Sequence, residues 1–279
     1  MTVRIVTDGT SDIPIQIIKE LGITEVPVYL VFGDKSYRSR IDITEDEFYS
    51  KLITGTVHPT TSQPSPQDFV DTYEKLGKEC DGILSIHIST KLSGTVNSAE
   101  QAKKLVKTKC PIEIIDSLSV SMALGLIVIA AARMAQAGKN LSEITDATRK
   151  MVPNVRLMAL FDTLEYLARG GRIGKAKSLV GSILHVKPML TLKEGEFVPV
   201  GQARNHNKGK DKLLDFINSA KDVEEATVIH STTPEEAKEL AAGITSVEKG
   251  KIILSRLGPV LGAHGGPGLL VIGMRIKSY

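Results

Sequence analysis

The sequence predicts an α/β protein of two domains: an N-terminal, mostly parallel sheet with helices on both faces, then a mixed α/β domain. Three observations lead there. Short runs rich in Val, Ile and Leu alternate with helix-period stretches through residues 1–154, the pattern of strands joined by crossover helices. The helical stretches open on hydroxyl or proline signals, and the first closes on glycine. Past Pro153 the character changes to a hairpin and further strand–helix units, so the boundary falls at Val152–Val155 and the domains at residues 1–154 and 155–279.

The elements follow in order. VRIVTD (Val3–Asp8) reads as a strand, IPIQIIKELG as a helix closed by Gly22, and VPVYLVF (Val26–Phe32) as a second strand. Thr44 and Glu47 have capping-box spacing before a third segment, a helix. The connector TTSQPSP (Thr60–Pro66) leads to a helix with Ser65 as cap and Pro66 at the first helical position. GILSIHIS is a strand, SGTVNSAEQAKKLV a helix, IEIIDS a strand, and Ser119–Ala137 a strongly apolar helix. In the second domain VRLMALF is a strand, and TLEYLARGGRIGKAKSLVGSIL reads as helix, glycine turn, helix. KPMLTLKEGEFVPVGQAR is a hairpin with KEGE at its tip. A helix (Lys210–Ser219), the strand ATVIHS, the helix PEEAKELAAGI and the strands KIILSRL and GLLVIGMRI complete the chain. Parallel sheets bind ligands beyond the carboxyl ends of their strands, and the polar turns at such ends are VTDGTSD and SIHISTKLSGT.

Composition narrows the function classes. Of 279 residues, 42% are hydrophobic and the mean hydropathy is +0.01, values of a soluble protein with a substantial core. Charge is nearly balanced, 35 basic against 32 acidic residues, with no basic cluster for nucleic acid. Cys80 and Cys110 are far apart in sequence and outside any CxxC spacing, which argues for a reducing compartment and against a disulfide framework or a zinc site. The chain starts directly on a strand pattern, and the apolar stretch Met122–Ala132 is too short to span a bilayer and is followed by Arg133. The expectation is a cytoplasmic protein without a transmembrane segment.

Standard chemistries fail in turn. GGRIGKAKS lacks a phosphate loop's first glycine and its hydroxyl, since Arg169 and Ala176 occupy those places, and no GxGxxG occurs. The histidines at 58, 87, 185, 206, 230 and 264 form no metal-ligand spacing, so no metal is expected. No GxSxG elbow is present; a serine esterase or thioesterase would have to assemble Ser93 and His264 with an acid such as Asp116. What remains is a set of turn residues. Ser93–Gly94 stand where a strand's exit meets a helix start, which serves equally as a plain cap or as an anion-holding hydroxyl beside free N–H groups. Arg172 follows a glycine pair as a solvated arginine or a ligand for charge, His264 lies in the glycine-rich loop GAHGGPG, and Arg204 ends the hairpin.

Together these strings resemble the DegV family of fatty-acid-binding proteins: TDGTSDIP, TTSQPSP, STKLSGTVNSA, IIDS, LEYLARGGRIGKA and HGGPG occur in the family's order along the whole length. The resemblance implies two α/β domains forming one unit, with one long-chain fatty acid, such as palmitate, in an apolar tunnel between or beside them. It implies a carboxylate held by Thr61 and Ser93, with Ser62, Gly94, Arg172, Arg204 and His264 in the head-group region. It further implies a non-catalytic, lipid-carrying role in fatty-acid metabolism or transport, in some members as the acyl-carrying subunit of a two-component fatty-acid kinase whose separate ATP-binding subunit phosphorylates the carboxylate. No cofactor is implied beyond the lipid. Contact with a membrane would be transient, and a monomer is the expected state. Burying roughly 14 methylenes at about 0.8 kcal/mol each gives on the order of 11 kcal/mol before ordering costs. The Ser119–Ala137 helix is a candidate wall for such a sleeve, or equally plain core.

Overall fold

The computed structural model describes residues 2–179 and 186–277. β1 (Val3–Asp8) and α1 (Ile15–Leu21) form as expected, with Gly22 at φ 63° returning its N–H to the last turn. The expected single strand Val26–Phe32 is two, β2 (Thr24–Val26) and β3 (Tyr29–Phe32), which belong to different sheets. Pro27 lies at the break because it has no N–H to continue a ladder. β4 (Lys35–Arg38) pairs with β3 and has no counterpart in the sequence reading. α2 (Glu45–Thr54) opens on the Thr44–Glu47 capping box.

The TTSQPSP segment is not only a connector. Its first residues are β5 (Thr60–Ser62), antiparallel to β3 with Thr61 opposite Leu30. α3 (Pro66–Leu76) then starts on Ser65, and Asp68 closes a capping box there. β6 (Gly82–His87), α4 (Thr95–Leu105), β7 (Ile112–Asp116) and α5 (Ser121–Gln136) match the expected alternation. α6 (Leu141–Met151), capped by Asn140, is an addition to it.

The second half holds β8 (Val155–Leu160), the short α7 (Glu165–Arg169), and a 3-10 stretch at Gly174–Leu179. The expected helix beyond it runs into residues 180–184, which with His185 lie outside the described residues. The hairpin is β9 (Lys187–Lys193) and β10 (Glu196–Ala203). α8 (His206–Asn218) starts a turn earlier than expected because Asn205 caps it. β11 (Val223–His230), α9 (Pro234–Gly243), β12 (Ile252–Arg256), α10 (Pro259–Gly265) and β13 (Leu270–Ile276) follow.

Among the described residues the strands form three sheets: β2-β1-β6-β7, wholly parallel; β10-β9-β8-β13-β11-β12, in which only β11 and β12 run parallel; and the antiparallel β4-β3-β5. The parallel sheet carries helices on both faces: α3 and α4 pack Phe69, Tyr73 and Ala99 on one, α1 and α5 pack Ile18 and Leu124 on the other. α5 lies between the two large sheets, against β1 and β6 on one side and β8, β11 and β13 on the other. That explains its composition: Ser121–Ala132 are buried throughout, so no helix face needs to be polar. Gly125 permits the closest approach, since a Cβ there would stand 2.9 Å from Ser11 O.

Candidate functional site

Beyond the carboxyl ends of β1 and β6 the sheet opens into a slot, as the strand order requires. About 800 Å³ of atom-free space lies in it, part of it open to solvent. Its apolar wall comes from β8 (Leu157, Ala159), Phe161, Phe197, and Leu269 and Val271 at β13. Phe161 and Phe197 meet edge to face at 6.2 Å between ring centroids. The expected wall helix contributes little: of α5 only Ser121 lines the slot, with Val120 before it. α5 is core, because two sheets cover its circumference. The helix that contributes most to the lining is α10, through Val260, Leu261, His264 and Gly265, and α7 adds Leu167.

The sequence reading placed His264 in a loop; it sits in the last turn of α10. Gly258 and Pro259 start that helix, and the Gly258 N–H donates to the buried Asp12 carboxylate at 2.9 Å. Gly262 lets α10 approach α2, where a Cβ would stand 2.5 Å from Phe48 Cε1. Of the glycines that read as loop, Gly262 is thus a site of close helix packing, while Gly266 and Gly268 do lie in the turn that follows, at φ 73° and 76°.

Thr61, from β5, and His264 meet at 2.8 Å between Oγ1 and Nε2. Burial, then the charges of Arg172 and His58, lower His264 to about 4, so the ring is neutral at pH 7. Its buried Nδ1 has no hydrogen-bond partner among the described residues, and Gly170 packs on it so closely that a Cβ would stand 2.0 Å away. Ser93 Oγ lies 2.9 Å from Thr95 Oγ1. Ser93 does not cap α4: the cap residue is Gly94, with no side-chain cap bond, so the first N–H groups of the helix keep their capacity to bind an anion. Gly94 also admits Gln63, since a Cβ would stand 2.2 Å from Gln63 Oε1, and Gln63 Nε2 donates to Ser98 Oγ at 3.0 Å. Arg172 donates through Nε to Leu92 O at 3.2 Å and through Nη1 to Gly170 O at 2.7 Å. Both acceptors are carbonyls, so among the described residues no carboxylate neutralises this guanidinium.

Thr61, Ser62, Ser93, Arg172 and His264 therefore line one slot, with Gly94 adjoining. Arg204 does not join them; it is exposed after β10 and outside the lining. Gln63 and Gly170 are contributors the sequence reading passed over, although both lie within strings it singled out. The hydrolytic alternative is not assembled. Asp116 accepts from Thr90 and Leu118, and His264 Nδ1 has no orienting acid. Among the described residues no three His, Cys, Asp or Glu are grouped to hold a metal, and no helix is long and apolar enough to cross a membrane.

This fold is shared with known proteins. The family model described as "Uncharacterised protein, DegV family" matches residues 2–277. A DegV domain-containing protein of Caldanaerobacter subterraneus subsp. tengcongensis is 38% identical over 269 residues, covering 95% of each chain. Among solved structures, "Fatty Acid Binding of a DegV family Protein from Thermus thermophilus" superposes with a TM-score of 0.91 at 33% identity, over 99% of this chain and 100% of that one. "DegV, a fatty acid binding protein from Bacillus subtilis" does so with a TM-score of 0.88 at 32% identity, over 99% and 100%. This chain belongs to the DegV family.

Proposed function

We propose that this protein binds one long-chain fatty acid, of the palmitate class, with its tail in the slot and its carboxylate held by Thr61 and Ser93. The observation that carries the reading is the slot itself, walled by Leu, Val and Phe, and polar where β5, the turn before α4, and α10 meet. Fatty-acid binding by the relatives from Thermus thermophilus and Bacillus subtilis supports it. A carboxylate taken out of water must be hydrogen-bonded. Two hydroxyls and the N-terminal N–H groups of α4 supply donors, and neutral His264, donating its Nε2–H to Thr61 Oγ1, leaves the Thr61 hydroxyl proton for the carboxylate. The tail then supplies most of the affinity, and the cradle supplies orientation and the remainder.

In this reading the protein has no turnover of its own. It presents the carboxylate to a separate ATP-dependent kinase, where a carboxylate oxygen attacks the terminal phosphorus of ATP and ADP leaves. The un-neutralised Arg172 offers its charge to the incoming phosphoryl oxygens. Residues 1–154 and 155–279 work as one unit, a cytoplasmic monomer serving fatty-acid metabolism or transport. Organic extraction of the purified protein followed by mass spectrometry tests the binding. A stoichiometric long-chain fatty acid is the expected result. A protein that purifies empty and takes up no added palmitate would refute the reading.

A further inference from the structure

Cys80 and Cys110 are separated by 30 residues, yet their sulfurs lie 3.4 Å apart. The topology brings them together. Cys80 stands two residues before β6 and Cys110 two before β7, and these strands are parallel neighbours with Ile83 opposite Ile112. Two features fix the approach. The Ile83 N–H donates to Pro111 O at 2.9 Å, locking the residue after Cys110 to the start of β6. Gly77 lets the turn after α3 pack on the turn after α4, since a Cβ there would stand 2.2 Å from Thr108 Oγ1. Thr108 Oγ1 in turn accepts from the Cys110 N–H at 3.1 Å. Both cysteines are half-buried, so solutes reach them.

We propose that Cys80 and Cys110 are a dithiol–disulfide site, converted to an intramolecular disulfide by a peroxide and restored by a dithiol reductant. A disulfide needs sulfurs about 2.05 Å apart, and the pair reaches that by side-chain rotation with small shifts of two surface turns. Burial, and after it the hydrogen bond with Cys80, push the Cys110 thiol up, and either sulfur, once ionised, can meet the oxidant. Where that sulfur is Cys80, it attacks one peroxide oxygen, the O–O bond breaks, and Cys80 becomes a sulfenic acid as hydroxide leaves. Cys110 then attacks that sulfur and loses its proton, the S–OH bond breaks, and water departs. Two thiols have given two electrons to the O–O bond, and hydrogen peroxide has become two waters. The new bond ties together the turns that follow α3 and α4, at the opposite ends of those helices from Ser65 and Ser93. A bond made on demand in this way is compatible with a reducing compartment, where cytosolic disulfides serve sensing roles.

The test is thiol counting on the reduced full-length protein treated with hydrogen peroxide, denatured, labelled with a maleimide and mapped by mass spectrometry. The expected result is joint loss of both thiols, a peptide pair cross-linked through Cys80 and Cys110, and recovery of both labels after dithiothreitol. Cys80→Ser and Cys110→Ser should each leave no intramolecular cross-link, and the remaining cysteine should gain oxygen or stay labelled. Wild-type protein that keeps both labels, or whose cysteines take up oxygen independently to sulfinic acids, overturns the proposal. So does a cross-link found only between molecules.

Discussion

α5 and α10 make an instructive pair. α5 is the most apolar segment of the chain, sixteen residues of which Ser121–Ala132 are buried, and it barely touches the slot. α10 is seven residues with two glycines and a histidine, and four of its residues line the slot. The difference teaches that uniform hydrophobicity marks a helix covered by protein on every side. A ligand wall needs a helix that is only half covered, held close to its neighbours by small residues on the other half. Gly262 against Phe48 and Tyr49 is that arrangement in α10.

Four results would break or sharpen this contrast. The largest effect belongs to α5: Ile127→Ala should lower unfolding free energy by about 2–5 kcal/mol, read from denaturant midpoints, while the folded variant keeps its fatty acid. An α5 variant that lost lipid while staying stable would reverse the assignment of core and wall. At the polar end, Ser93→Ala and Thr61→Val should each weaken fatty-acid binding about 10–100-fold in a competition assay, with stability nearly unchanged, because each removes one donor to a charged group. Arg204→Ala should bind as wild type, given its place outside the slot. Gly170→Ala should cost roughly 1–3 kcal/mol by forcing the His264 ring aside, and ligand release should accompany it because Thr61 loses its partner.

A further result is a pair of opposed pH slopes. Burial of Asp12, only partly offset by the Ser121 hydroxyl, the Gly258 N–H and Arg40, raises its carboxyl to about 7, with Glu25 adding to the rise. Burial lowers His264 to about 4. A raised carboxyl contributes stability that is complete below its ordinary 3.8 and is lost as pH rises through 7. A lowered histidine contributes stability that is complete above its ordinary 6.5 and is lost as pH falls through 4. Between pH 4 and 6.5 the two oppose one another, each at about 1.4 kcal/mol per pH unit. Relative to wild type, Asp12→Asn should therefore make stability rise with pH in that window, and His264→Gln should make it fall. Urea titrations at several pH values read the slopes; two variants tilting the same way would contradict the buried environments assigned to these groups.

Much of this was legible because local chemistry and packing agree. The Thr44, Ser65 and Gly22 signals mark real helix ends, and the alternation of strand and helix gives the parallel sheet. Of the site, Thr61, Ser93, Arg172 and His264 come from four separate segments, and their meeting depends on β5 adding to β3 and on α10 packing on α2. Neither contact has a sequence pattern of its own. β5 is three residues long, and α10 carries glycines at the positions where a periodic reading looks for apolar side chains. The thiol pair was illegible for the same reason: 30 residues of chain separate sulfurs that strand order places in contact.

A crystal structure of the protein with palmitate tests the central claim most directly. The expected density runs past Phe161 and Phe197 and ends in a carboxylate within hydrogen-bond distance of Thr61 Oγ1 and Ser93 Oγ, beside the first N–H groups of α4. A lipid bound with its carboxylate away from those hydroxyls, or on a surface outside this slot, would contradict it.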